Sequence, residues 1–269
     1  MLIVQFQKTI YDYFEKSGRK LPWRYEKDPY RVLISEVMLQ QTQVSRVIPK
    51  YKEFLNKFPT IQHLAQSRLS DVLRTWQGMG YNRRAKYLHE TARLIVNQFN
   101  GTVPDTTDAL VALPGIGSHT AGAIMSYAFN KPVPFIETNI RAVYLYFFFK
   151  SSQKVSDTEM LDIIKKTMDT RRPRDWFYAL TDYGVFLKSS EKFKNIQSKH
   201  YAKQSPFEGS RRQVRGLLLR LASETGSVSL QTIQELSQRS QKDIVDIITD
   251  MENEGLVERS GGGWRLKNE

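Results

Sequence analysis

No cysteine occurs anywhere in the 269 residues. That excludes disulfides, thiolate nucleophiles, iron–sulfur clusters and cysteine-ligated zinc in one step. Histidine is nearly as scarce. His63, His89, His119 and His200 are scattered without metal-ligand spacing, so no metal held by side chains is expected. No apolar run approaches the roughly 20 residues that span a bilayer. The opening MLIVQF is too short and wrongly flanked for a secretory signal. The expectation is a cytoplasmic chain with no membrane partner.

Acid is also in deficit. There are 28 acidic against 40 basic side chains, a net charge of +12. A basic surface attracts polyanions, which makes nucleic acid the leading partner class. The surplus is uneven: residues 205–269 hold nine basic and ten acidic side chains, leaving a net +13 on the first 204.

What is present is mostly helical periodicity. In YRVLISEVMLQQTQVSRVI, Leu33, Glu36, Val37, Gln40 and Val44 share one face at three- and four-residue steps. KYLHETARLIVNQF, HTAGAIMSYAF, EMLDIIKKTM and DWFYALTDYGVFL repeat the pattern, and no long alternating strand precedes residue 205. A boundary near KHYAKQSPFEGS is followed by three helical stretches and LVERSGGGWRLK, which predicts two short strands around a glycine turn. That is the order of a winged helix. Its near-neutral charge leaves two readings level, a DNA-binding unit or a packing module.

Three segments carry chemistry. LPGIGSHTAGA (113–123) predicts a helix ending near Leu113, a tight turn through Pro114, Gly115 and Gly117, and a new helix from about Ser118. The exposed amides of such a turn bind phosphate. PFIETNIRAV sets Glu137 in otherwise uncharged surroundings before an apolar run. A helix N-terminus explains an acid there, and so does catalysis. SEVMLQQT places Glu36 on a mostly apolar face, where desolvation should hold it protonated.

LPGIG followed by FIETN resembles the helix-hairpin-helix DNA glycosylase superfamily. LPWR, SEVMLQQTQV and WQGMGYNRRA are similar to its adenine DNA glycosylase (MutY-like) branch, over residues 20–187. The resemblance implies an all-α, two-lobed helical fold with a small C-terminal winged-helix-like α+β unit. One lobe would join 1–23 with 135–204, the other would be 24–134, and the tail 205–269. It also implies a monomer that acts on double-stranded DNA bearing a mismatch or damaged base, at the nucleoid in a bacterium.

The residue roles implied by the resemblance are as follows. Glu36, Glu137 and Asn139 are catalytic, Glu137 standing where the family carries aspartate in a D-x-N pattern. Arg24, Leu39, His119 and Asp182 line the base pocket. Gln41 and Tyr81 wedge into the stack, and Arg83, Arg84, Gly115, Gly117, Ser118, Lys188 and Lys199 meet the DNA backbone. No resident cofactor is expected beyond a monovalent cation on hairpin carbonyls.

Three departures qualify that picture. His119 replaces the lysine of bifunctional members, which implies base removal without strand cleavage. The four cysteines that usually follow ALTDYG are replaced by lysines, either phosphate contacts or a basic linker. The tail is too small and too helical to be the Nudix-like domain that reads 8-oxoguanine. Excision of thymine or uracil from mismatches, and a silent DNA-binding regulator, remain alternative readings.

Overall fold

The computed structural model describes residues 2–149, 155–190 and 207–269. Among them the helices are α1 (Ile3–Ser17), α2 (Pro29–Leu39), α3 (Val44–Lys57), α4 (Ile61–Gln66), α5 (Leu69–Thr75), α6 (Arg83–Gln98), α7 (Thr107–Val111), α8 (Ser118–Tyr127), α9 (Thr138–Phe148), α10 (Asp157–Thr167), α11 (Pro173–Ser189), α12 (Arg211–Thr225), α13 (Leu230–Ser237) and α14 (Gln241–Asn253). Strands are confined to the tail: β1 (Val228–Ser229), β2 (Val257–Ser260) and β3 (Gly263–Leu266). The fold is all-α with a small α+β unit at its C-terminal end. No helix among the described residues is long and apolar enough to cross a membrane.

The chain forms two compact units. The first comprises Met1–Glu36, Pro104–Ala112 and Ile116–Ala202. Its core gathers around Phe6 of α1, which meets Tyr144, Phe148 and Trp176 edge-on at 5.5, 4.9 and 5.5 Å. Such geometry suits the ring quadrupoles. Helices α9 and α11 cross closely because Gly184 has no side chain: a Cβ there would lie 2.2 Å from the Asn139 carbonyl oxygen. Residues 24–36, 104–112 and 116–134, which the resemblance implied in the other lobe, group with this unit. The Arg24–Asp182 ion pair and the Tyr127–Tyr178 stack tie the first and last of these to α11.

The second unit comprises Val37–Val103, Leu113–Gly115 and Lys203–Glu269. Phe54, Phe58 and Trp76 are buried at its centre. The tail has the helix–strand–helix–helix–hairpin order of a winged helix, with the antiparallel sheet ordered β1-β3-β2. The two-residue β1, paired as Val228 with Trp264, is too short to show as a periodic pattern. The tail docks on α5 and α6: Asn268 O accepts from Leu69 N at 3.2 Å, and Lys86 Nζ donates to Glu254 O at 2.7 Å.

The periodic run through Val44 is not one helix. Helix α2 stops at Leu39, Gln41 takes a left-handed φ of +53°, and α3 starts at Val44. The cause is tertiary. The Arg84 guanidinium takes the carbonyls of Val37, Met38 and Gln40 at 2.8, 2.9 and 2.6 Å. Those are the acceptors that a continuing helix would need for its next turn.

Candidate active site

Two glutamates of the first unit come within range of each other's charge. Glu36 lies on the last turn of α2, with Ser35 and Ile34 buried beside it. Glu137 is the N-cap of α9, and its Oε1 accepts from Ile140 N at 2.9 Å. Glu137 therefore caps the helix, as one of its two sequence readings has it, and lies within range of a second acid's charge. Gly122 lets the segment before it approach α8, since a Cβ there would sit 2.7 Å from Cβ of Phe135.

The two carboxyls differ in proton affinity. Burial pushes Glu36 up to about 8, and the neighbouring Glu137 charge adds to the rise. Burial raises Glu137 too, although the dipole of a helix start favours the charged form. The backbone amides of Asn139 and Ile140, the Lys188 ammonium and the Asn139 side chain pull it back. Glu137 thus has amide donors and a cation that favour its charged form, and that charge in turn favours the proton on Glu36. Both retain some solvent exposure. One carboxylic acid beside one carboxylate can protonate a leaving group while stabilising a cation.

Tyr127, at the end of α8, was not singled out in the sequence, where MSYAF reads as core. Its phenol is held protonated by burial first and then by Glu36, Tyr178 and Glu137 around it. The ring stacks on Tyr178 at 4.1 Å with planes 6° apart. Arg24 lies over the other part of that column, 4.8 Å from the Tyr178 ring.

Pro22 starts the 3₁₀ turn Pro22–Tyr25 that aims Arg24 inward. Its guanidinium grips Asp182 with two bonds of 2.6 Å. Asp182 also accepts from Arg19 N at 2.8 Å and from Arg19 Nε. Burial would raise the Asp182 carboxyl, yet these donors hold it below its ordinary range. Both of its oxygens are engaged, so Asp182 anchors Arg24. His119 and Ser118 are exposed on the first turn of α8, after Gly117 at the N-cap.

The second unit carries the predicted wedges. Gln41 and Tyr81 both have left-handed backbone, φ +53° and +46°, and both are exposed. Non-glycine residues in that region signal strain held by the surroundings. The holder is Arg84. Besides the three carbonyls after α2, it donates to Thr42 Oγ1 at 2.9 Å, Gly80 O at 3.1 Å and Met79 O at 3.4 Å.

Arg84 therefore departs from its expected place on phosphates: it is buried and braces the loops that carry Gln41 and Tyr81. Burial lowers it to about 10, still protonated at neutral pH. Arg83 next to it is exposed, near Glu254 of the tail at 3.8 Å. Gly115 has φ +75° and lies against Tyr87, with its carbonyl accepting from Gln40 Nε2 at 3.3 Å. Leu39 is half-buried at the end of α2. Lys188 reaches Asn139, and Lys199 lies outside the described residues.

A family model described as "HhH-GPD superfamily base excision DNA repair protein" matches residues 34–167, the stretch from Glu36 through the hairpin to Glu137 and beyond. Over that stretch the chain belongs to this superfamily. It is 38% identical over 199 residues to the adenine DNA glycosylase of Buchnera aphidicola subsp. Baizongia pistaciae (strain Bp), covering 71% of this chain and 56% of that protein. With the adenine DNA glycosylase of Mycobacterium tuberculosis (strain ATCC 25618 / H37Rv) it shares 43% identity over 132 residues, 49% of this chain and 43% of that one. The chain spans about half the length of the curated relatives it matches.

Among solved structures, a thermostable thymine-DNA glycosylase superposes with a TM-score of 0.66 at 27% identity, covering 71% of this chain and 89% of that one. The superfamily likeness implies an iron–sulfur cluster after α11. This chain does not fit one, because it has no cysteine to hold it. Among the described residues no group of three or more histidines and acids is arranged for a metal either.

Proposed function

We propose that the chain is a monofunctional DNA N-glycosylase of base excision repair that removes adenine mispaired with 8-oxoguanine or guanine. The observation that carries the reading is the pair of neighbouring glutamates with staggered proton affinities. Glu36 donates its proton to the departing base. Glu137 remains ionised and stabilises the positive charge that develops on the sugar. Water then adds to the sugar carbon and gives up its proton to the Glu36 carboxylate, leaving an abasic site, the neutral base and Glu36 reprotonated. Tyr127 contributes a protonated phenol beside both acids, and Arg24, fixed by Asp182 and Tyr178, borders the extruded base.

Base extrusion leaves an unstacked gap. In this reading Gln41 and Tyr81 fill it, while Gly115, Gly117, Ser118 and Arg83 meet the DNA backbone and the hairpin carbonyls hold a monovalent cation. The partner is double-stranded DNA with one damaged or mispaired base, met by a monomer; in a bacterium it would act at the nucleoid. The second reading, thymine excision, is favoured by the likeness to the thymine-DNA glycosylase structure.

A panel of duplexes carrying A:8-oxoG, A:G, T:G or U:G separates the two when scored for alkali-labile sites. Cleavage of the adenine duplexes is expected, with no adduct trapped by borohydride, because His119 supplies no amine. Cleavage confined to T:G and U:G would select the second reading, and a trapped adduct would contradict the monofunctional one.

A further inference from the structure

Lys188 ends α11 at the surface, where a phosphate contact is the obvious role. Its bonding points elsewhere. The close approach at Gly184 sets α11 against the first turn of α9, and Lys188 follows one helical turn later on the same face. There Lys188 Nζ donates to Asn139 Oδ1 at 3.1 Å. Asn139 Nδ2 in turn donates to Glu137 Oε2 at 3.1 Å, and Ile140 N occupies Oε1 at 2.9 Å. The ammonium decides which way the amide of Asn139 faces. With its oxygen drawn to Lys188, its NH2 must point at the carboxylate.

We propose that Lys188 is a positioning residue that acts through Asn139 to orient Glu137 and keep it ionised. The proposal rests on the glycosylase reading for its catalytic consequence. A glutamate has one more rotatable bond than the aspartate of the D-x-N pattern, so it loses more conformational freedom when fixed. A tether from a second helix offsets that freedom. The groups that face Glu137 are Glu36 from α2, Tyr127 from α8, the Asn139 and Ile140 amides of α9, and Lys188 from α11. Among these described groups Lys188 is the cation. Removing it raises the proton affinity of Glu137, so a higher pH is needed to ionise the carboxylate.

The test has two arms. In single-turnover excision with saturating enzyme, Lys188→Met should move the acidic limb of the pH profile upward by about one unit, which is roughly tenfold in rate below the limb. Lys188→Arg should restore it, and Lys188→Met should add less in an Asn139→Ala background than in the wild type, the remainder being the direct charge of the ammonium on Glu137. In the second arm, 13C NMR of the glutamate carboxyls, with Glu137 assigned by Glu137→Gln, should show the same upward shift without DNA. An unmoved Glu137 titration, or losses from the two substitutions that multiply, would overturn the tether. A changed affinity and salt dependence with the limb in place would return Lys188 to a phosphate contact. If the wild type excises nothing, the glycosylase reading fails on its own while the NMR arm still decides the tether.

Discussion

Glu36→Gln is expected to lower the single-turnover excision rate by about 10²- to 10⁴-fold, the range for loss of a general acid, while raising the melting temperature. Gln keeps the shape and loses only the proton that the base needs. The stability gain follows from the sign of the shift. Glu36 in the folded chain holds its proton up to about pH 8, against an ordinary value of 4.5. Between those values the folded state binds more protons than the unfolded one, so stability falls as pH rises through the window. Gln carries no such penalty.

Each pKa unit is worth about 1.4 kcal/mol. The partial solvent access of Glu36 trims the gain at pH 7 to about 2 kcal/mol, or several degrees in a chain of this size. Lower activity with higher stability in one variant is the mark of a strained functional group. A stability unchanged at pH 8 and lowered at pH 5 would contradict this assignment.

Arg84→Met should have the second large effect, and it separates two roles for a basic residue. A phosphate contact, when removed, weakens binding to all sequences and reduces the salt slope by about one. The buried brace predicts the opposite. Methionine fills the stem but leaves five carbonyls and the Thr42 hydroxyl without their donor. The expected loss is about 2–4 kcal/mol of stability. Discrimination between mismatched and matched duplex should fall at least about tenfold, as Gln41 and Tyr81 relax from their left-handed backbone. Binding to matched duplex should keep its salt slope. The charge-conserving Arg84→Lys should fare little better than Arg84→Met, because a single ammonium cannot reach both sets of carbonyls. Denaturant melts and salt titrations on both duplexes check each arm.

Much of this architecture was legible in the sequence, for particular reasons. The apolar face around Leu33 and Val37 exposed the anomaly of Glu36, and burial raised its proton affinity as desolvation requires. Glu137 before an apolar run read correctly as a helix start. The helix-ending turn at Gly115 followed from its residue types. What escaped depended on contacts distant in sequence. The apolar period runs on past Leu39, and only Arg84, arriving from α6, ends the helix there. Arg84 itself looked like half of a basic surface pair. Its register gave a signal, since Arg84, Leu88, Ala92 and Ile95 form one buried stripe while Arg83 lies off it. Tyr127 was hidden because an aromatic at the end of a small-residue helix is ordinarily core. Neither its stack on Tyr178 nor its nearness to both acids is local information. The upward shift of Glu137 was likewise out of reach, because the helix N-terminus was visible and the depth of burial was not.

The claim on which the account turns is that one acid of the pair is protonated and the other ionised when the base leaves. The most direct measurement is the single-turnover rate of adenine excision from an A:8-oxoG duplex between about pH 5 and 9.5 at constant ionic strength. The expected profile is a bell: a rise at low pH as the pair first ionises, a plateau near neutrality, and a tenfold fall per unit above about pH 8, as Glu36 deprotonates. A rate that stays level or climbs through the alkaline end of that range, in wild type and in Glu36→Gln alike, would contradict it.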